Sequence, residues 1–254
     1  FKHRYNIIRR LGEGHHGAAY LVKRKSDGEE VVAKVSHDTS SKGRRGFLEE
    51  FENMRTFHHP NIIKVLELVE ASKQLSKGNW VSQSFMIMEF AAGGNLYSYV
   101  QKLVHSGQSL SEQWVAGVFA GAMRGICHLH DKGFIHNDVK PDNILVMKTF
   151  SPSDKKAIPE VAIADFGSVT RALDGDVSVA DPRYRSPESW RALEVLNSGG
   201  FPTPLTRKVD IWAMGSVLFE LMSGGKIPFL YKPCSFNVIR ESARFRDTIK
   251  KGVL

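Results

Sequence analysis

Short apolar runs bounded by turn residues fill the early part of the chain, and apolar positions at helical spacing fill the later part. Asn6-Ile7-Ile8 runs toward Leu11, and Ala18-Ala19-Tyr20-Leu21-Val22 follows a glycine-rich turn. Ser26-Asp27-Gly28-Glu29 has hairpin-turn chemistry, and Val31-Val32-Ala33-Lys34-Val35 reads as the strand behind it. Phe47, Phe51 and Met54 share one face of a helix predicted over 46–57, with Lys42 to Arg45 as a solvated loop ahead of it. Strands are predicted over 62–69 and 84–90, with the polar stretch 72–78 between them as a loop.

Beyond Gly93-Gly94 the pattern turns helical. Val115, Val118, Phe119, Ala122, Met123, Ile126 and Leu129 keep helical spacing, and Asp131-Lys132-Gly133 ends that helix. Ser109-Leu110-Ser111-Glu112 has the form of a capping box at its start. A second apolar helix is predicted over 206–223, closed by Gly224-Gly225 and Pro228. Residues 148–160 form a polar insertion between two short strands. Strands first and helices later predict two lobes with a boundary near 91–94.

Composition narrows the class. Of 254 residues 42% are hydrophobic, enough for a sizeable core, and 24% are charged, as in ordinary globular proteins. No apolar run is long enough to predict a membrane span, and Phe1-Lys2-His3-Arg4-Tyr5 carries no signal-peptide pattern. Two cysteines, Cys127 and Cys234, suggest no disulfide framework and point to a reducing, intracellular setting, most simply the cytoplasm. The net charge of +8 and pI of 9.4 accompany no basic–aromatic module, so no specific nucleic-acid partner is predicted. A surplus of positive charge also suits a polyanionic substrate.

Leu11-Gly12-Glu13-Gly14-His15-His16-Gly17 spells G-x-G-x-x-G. A dinucleotide fingerprint would open a helix here, whereas this one lies between strands, where backbone N–H groups can cover phosphates. Alone it is equally well a hairpin. Lys34 on the following strand is no different from a surface lysine until it has a partner, and Glu49, Glu50 and Glu52 all lie on the next helix. The informative cluster is Ile135-His136-Asn137-Asp138-Val139-Lys140-Pro141-Asp142-Asn143-Ile144-Leu145, then Ala164-Asp165-Phe166-Gly167, then Ser186-Pro187-Glu188. Each string occurs by chance; all of them in this order after the glycine loop and the lysine do not.

Together these residues resemble the eukaryotic-type protein-kinase catalytic domain, of serine/threonine type, from about Arg10 to the C-terminus. The resemblance implies an α+β, bilobal protein-kinase-like fold. A small antiparallel-sheet lobe would span 1–91 and a mainly helical lobe 92–254, with ATP between them and the family's last helices missing. It implies that Asp138 accepts the proton of the attacking hydroxyl, that Lys140 offsets γ-phosphate charge, and that Asn143 and Asp165 bind Mg2+. Leu11, Gly12, Gly14, Gly17, Ala19, Val32, Met88 as gatekeeper, the Glu89 and Ala91 backbone, Leu145 and Asp165 would surround ATP. Lys34, paired with Glu50, would hold the α- and β-phosphates. Asp210, within Val209-Asp210-Ile211-Trp212, would be buried and would accept backbone N–H groups of the catalytic loop. Lys140, two positions after Asp138, is the serine/threonine spelling, and the segment 165–188 implies protein substrates. No regulatory partner is named by these motifs. The rival readings are a pseudokinase scaffold, disfavoured because Lys34, Asp138, Asn143 and Asp165 are all present, and a small-molecule kinase.

Four positions depart from the family. Val32 and Ala19 exchange the usual small and large residues above adenine. Asn137 replaces the arginine before Asp138, which in many kinases receives an activating phosphate; Arg171, Arg183 and Arg185 are the candidate substitutes, and Ser168, Thr170 and Ser178 the candidate phosphorylation sites. Asp181 replaces a threonine, and is predicted either to pair with Lys140 or to face solvent. The arginine that usually pairs with Glu188 is absent, which predicts a costly buried carboxylate there and a chain that is a fragment. Asn95, at a position often acidic in kinases that prefer basic substrates, predicts no strong demand for an upstream arginine.

Overall fold

The computed structural model describes residues 1–14, 17–76, 79–148, 158–172, 181–226 and 228. The chain divides into two compact units, Phe1–Ala91 and Ala92–Leu254. The fold is α+β, with an antiparallel sheet in the first unit and helices dominating the second.

The first unit holds β1 (Tyr5–Gly14), β2 (Gly17–Arg24), β3 (Glu30–Ser36), α1 (Ser41–Met54), β4 (Val65–Ser76) and β5 (Asn79–Glu89). The strands form one sheet in the order β1-β2-β3-β5-β4, antiparallel throughout. Alternation divides its side chains between two faces. Val22, Val31, Ala33 and Ile87 are fully buried in a cluster with Tyr5 and Val69. Tyr5 also donates to Glu67, and burial together with that carboxylate raises the phenol to about 12. The opposite face carries Ala19, Val32, Lys34, Met86 and Met88, which the register sets side by side.

Several boundaries differ from the sequence reading. Helix α1 starts at Ser41, so Lys42 to Arg45 are helical; Ser40 caps it by accepting the N–H of Gly43 at 3.1 Å. It ends at Met54, short of the predicted Phe57. Residues 72–76 extend β4, pairing with β5 across a long hairpin, and Ile62 to Lys64 precede the strand. A polar strand end held by cross-strand bonds shows no hydrophobic period, which is why it read as a loop.

The second unit runs β6 (Gly94–Asn95), α2 (Leu96–His105), α3 (Glu112–Asp131), β7 (Phe134–Ile135), a short 3-10 turn at Pro141–Asn143, β8 (Ile144–Val146), β9 (Val161–Ile163), a second at Phe166–Ser168, β10 (Thr170–Arg171), α4 (Pro187–Asn197) and α5 (Lys208–Met222). Val118, Ala122 and Ile126 on α3 are fully buried, with Met214 and Val217 of α5 at 1% exposure, and the two helices touch. Each of these side chains except that of Ala122 stabilises the fold by about 1.5–3 kcal/mol. Helix α3 is capped by Ser111, which accepts the N–H of Trp114, rather than by Ser109. Asn95 caps α2 by accepting the N–H of Ser98 at 2.8 Å. Of the polar insertion, residues 149–157 lie outside the described residues. No helix among the described residues is long and apolar enough to cross a membrane.

Candidate active site

The segment His136 to Leu145 is built from beneath by one carboxylate. Asp210, 1% exposed on α5, accepts the backbone N–H of His136 at 2.8 Å and of Asn137 at 2.9 Å, and meets His130 Nε2 at 2.8 Å. Buried charge is tolerated where hydrogen bonds satisfy its lone pairs. The chain turns at Asn137 with φ of 64°, a left-handed conformation that asparagine accepts at low cost. The His136 ring reaches the Ala164 carbonyl at 3.1 Å and packs on Phe166 at 5.4 Å between centroids.

Asp138 stands above this support, 8% exposed. Its Oδ2 accepts from Lys140 Nζ at 2.8 Å and from Asn143 Nδ2 at 3.0 Å, and its Oδ1 accepts the backbone N–H of Asp181 at 3.1 Å. Asn143 Nδ2 also reaches the Asp138 carbonyl at 2.7 Å. Burial lowers the Lys140 pKa, but Asp138, with Asp181 and Asp142 adding to it, raises it overall. The β8–β9 register, Ile144 opposite Ile163, puts Asn143 and Asp165 at the same end of that hairpin, joined by the bond from Ala164 N–H to the Asn143 carbonyl at 2.9 Å. Asp165 has φ of 61°. Leu145, opposite Ala162, sits on the same hairpin.

Asp181 reaches Lys140, as one expectation holds, but only at the outer limit of an ion pair. It is 7% exposed, so it does not face solvent, and its carboxylate is 4.0 Å from Lys140 Nζ. Its partner is Arg183, whose Nε and terminal nitrogen donate to the two oxygens at 3.0 and 2.7 Å. Sequence reasoning missed this fork. Its signal was Asp181-Pro182, which favours the β-turn closed here by Tyr184 N–H on the Asp181 carbonyl at 3.2 Å. Asp181 raises the Arg183 pKa well above its ordinary value. The turn is anchored by Tyr184, whose hydroxyl donates to buried Glu220 of α5 at 2.6 Å. Burial raises both groups, and each acts on the other. The Glu188 expectation is also corrected: this residue is partly exposed in the first turn of α4, where the helix dipole favours an anion.

In the first unit, Lys34 Nζ meets Glu50 Oε1 at 2.7 Å, selecting it from the three glutamates. Ala19 and Val32 lie on the sheet face that bears Lys34 and Met88. Leu11, Gly12 and Gly14 form the end of β1, and Gly17 opens β2. A side chain at Gly17 would collide with the Val35 carbonyl, so only glycine lets these strands approach there. Glu89 uses its N–H and its carboxylate on the backbone of Lys64, and Ala91 is buried.

Comparison with known proteins places this arrangement in a family. The protein kinase domain family matches residues 5–250, and the chain belongs to that family. It is 29% identical to the serine/threonine-protein kinase ATG1a of Arabidopsis thaliana, over 89% of this chain and 32% of that protein. It is 29% identical to the meiosis-specific serine/threonine-protein kinase mek1 of Schizosaccharomyces pombe, over 98% of this chain and 52% of that protein. It is 25% identical to the tyrosine protein-kinase src-1 of Caenorhabditis elegans, over 90% of this chain and 38% of that protein. The chain thus spans between about a third and a half of the length of these relatives.

Proposed function

We propose that this domain transfers the γ-phosphate of Mg-ATP to serine and threonine hydroxyls of protein substrates. The observation that carries the reading is the convergence of Lys140 and Asn143 on the Asp138 carboxylate, in a loop pinned by Asp210. In-line transfer demands positioning and charge neutralisation more than covalent help from the enzyme. The hydroxyl oxygen attacks the γ-phosphorus, its proton passes to Asp138, and the bond to the β-phosphate oxygen breaks to release ADP. Lys140 is placed to offset charge on the moving phosphoryl group, and Lys34, held by Glu50, to hold the α- and β-phosphates.

The donor set fits Mg2+, a hard cation that takes oxygen ligands. Asn143 has its amide nitrogen on Asp138, which leaves the side-chain oxygen as the atom suited to a cation, and Asp165 supplies a carboxylate nearby. Among the described residues no three His, Cys, Asp or Glu side chains form a self-sufficient metal site. Mg2+ needs none, since it is commonly held by one or two protein oxygens together with phosphates and water. Held by Asn143 and Asp165, such an ion would supply neutralisation of phosphate charge.

The serine/threonine assignment rests on Lys140, two residues after Asp138, and agrees with the names of ATG1a and mek1. The test is a peptide array with serine, threonine or tyrosine at the target position, read by phosphate incorporated from Mg-ATP. Incorporation into serine and threonine peptides is expected, without a dominant requirement for arginine three residues upstream. Asn95, at the position where an acid would hold such an arginine, is a neutral helix cap. Incorporation confined to tyrosine, or absent from every peptide, overturns the reading.

A further inference from the structure

Two buried carboxylates stand around one ammonium. Lys140 Nζ is 2.8 Å from Asp138 and 4.0 Å from Asp181, and the Asp181 N–H donates to the other oxygen of Asp138. The Asp181 backbone is therefore a useful part of the site, while its side chain is a threat to it. An unpaired carboxylate at this depth would compete with Asp138 for Lys140.

Arg183 removes the threat. Its side chain holds both Asp181 oxygens, and its backbone N–H donates to Oδ1 as well, at 3.0 Å. The guanidinium lies over the Tyr184 ring at 5.4 Å, and Tyr184 is tied to Glu220 on α5. A planar, permanently charged fork is suited to this task in a way that a lysine is not. The charged and titratable groups around Asp138 are then Lys140, Asp142, Asp181, Arg183 and the His136 ring, whose Nδ1 accepts the Asp138 N–H at 3.3 Å.

The geometry points to Arg183 as a positioning residue for phosphoryl transfer: it neutralises Asp181 so that Lys140 stays on Asp138, while the Asp181 N–H orients the same carboxylate. This inference rests on the proposed role of Asp138. It is separable from that role, because transfer by the unaltered domain tests the reaction and the variants test only the pair.

The experiment is a cycle of Arg183→Gln, Asp181→Asn and both together, with kcat, KM for ATP and thermal unfolding measured for each. Arg183→Gln is expected to lower kcat by about tenfold or more, with KM for ATP little changed, because the freed carboxylate acts on Asp138 and Lys140 and not on nucleotide binding. Adding Asp181→Asn, which removes the charge but keeps the backbone N–H, is expected to restore most of kcat. Arg183→Lys should fall between Arg183→Gln and the unaltered domain. An unchanged kcat in Arg183→Gln overturns the inference, as does a loss that Asp181→Asn fails to relieve. If Arg183→Gln unfolds, the comparison passes to Arg183→Lys, whose kcat should fall and recover when Asp181→Asn is added; an unchanged kcat there overturns the inference.

Discussion

The side-chain amide of Asn137 donates to the Thr170 hydroxyl at 2.8 Å. The same nitrogen reaches the Ser168 carbonyl at 3.1 Å, and β7 pairs with β10 through Ile135–Thr170 and Phe134–Arg171. A neutral amide thus ties the loop that bears Asp138 to the start of the segment after Asp165, through contacts that need no phosphate. The substitute receptors are engaged elsewhere. Arg183 holds Asp181, Arg185 is buried against Trp190 at 4.5 Å, and Arg171 lies over Phe134 at 4.9 Å.

Activity is therefore predicted to survive removal of phosphate. After phosphatase treatment, with Ser168, Thr170 and Ser178 verified bare by mass, turnover should hold within about twofold. Ser178 lies outside the described residues, so this experiment covers more of the segment than the geometry does. Collapse on treatment, with recovery on rephosphorylation, would rule the prediction out.

Asn137 can also be tested through stability. Asn137→Gly removes the side-chain hydrogen bonds and keeps the left-handed backbone accessible, for a loss of about 1 kcal/mol. Asn137→Ala adds backbone strain, for a total nearer 2–3 kcal/mol. Chemical denaturation of the two variants separates the contributions; equal losses would show that the backbone geometry costs nothing.

Asp138→Asn is predicted to slow transfer by about 10²–10⁴-fold, the usual contribution of a positioned general base. Nucleotide affinity should change little, because no phosphate-binding role is assigned to that side chain. Single-turnover transfer and nucleotide binding, measured side by side, decide it. Undiminished transfer would remove Asp138 from the mechanism.

Glu50→Gln breaks the Lys34 ion pair while keeping side-chain shape. The two side chains are 13% and 7% exposed, so the remaining ammonium is left poorly solvated. Losing one partner of such a pair costs about 3–5 kcal/mol when fully buried, and somewhat less at this exposure. A lower melting temperature and weaker transfer are expected together. Full activity in this variant would mean that transfer does not depend on the Glu50 carboxylate.

Glu220 gives a pH prediction of unusual sign. Its folded pKa lies above the ordinary 4.5, chiefly through burial, so the folded chain binds this proton more tightly than the unfolded chain does. Its contribution to stability is full below 4.5 and is lost as pH rises through the raised folded value. Glu220→Gln keeps an acceptor for Tyr184 and removes the titration. Denaturation midpoints across that range should fall less with pH in the variant than in the unaltered domain. Parallel pH curves would show that Glu220 titrates normally.

The sequence carried the strands of the first unit because short apolar, β-branched runs such as Val31-Val32-Ala33 stand behind turn residues. It did not carry the start of α1, where Gly43 and Gly46 weaken the helical signal and Ser40 supplies the cap from outside the apolar pattern. The single letters of the active segment were legible because the chemistry constrains their spacing. The Asp181–Arg183 fork was not, because its two members sit only two residues apart and meet through a turn that charge spacing alone does not reveal. Nor could spacing choose Glu50 over Glu49 and Glu52, since one residue turns a helical side chain by roughly 100° and only the packed orientation of α1 decides which carboxylate meets Lys34.

Asp210 also governs how the catalytic loop opens. The amides of His136 and Asn137 are both bonded to a carboxylate carried by α5, 74 and 73 residues away in sequence. Neither amide can exchange its hydrogen with solvent until that carboxylate withdraws, and Asp210 is buried in the first turn of its helix. Isotope exchange at these loop positions is therefore governed by the opening of α5 rather than by local fraying, so a loop that looks irregular along the chain inherits the protection of a core helix.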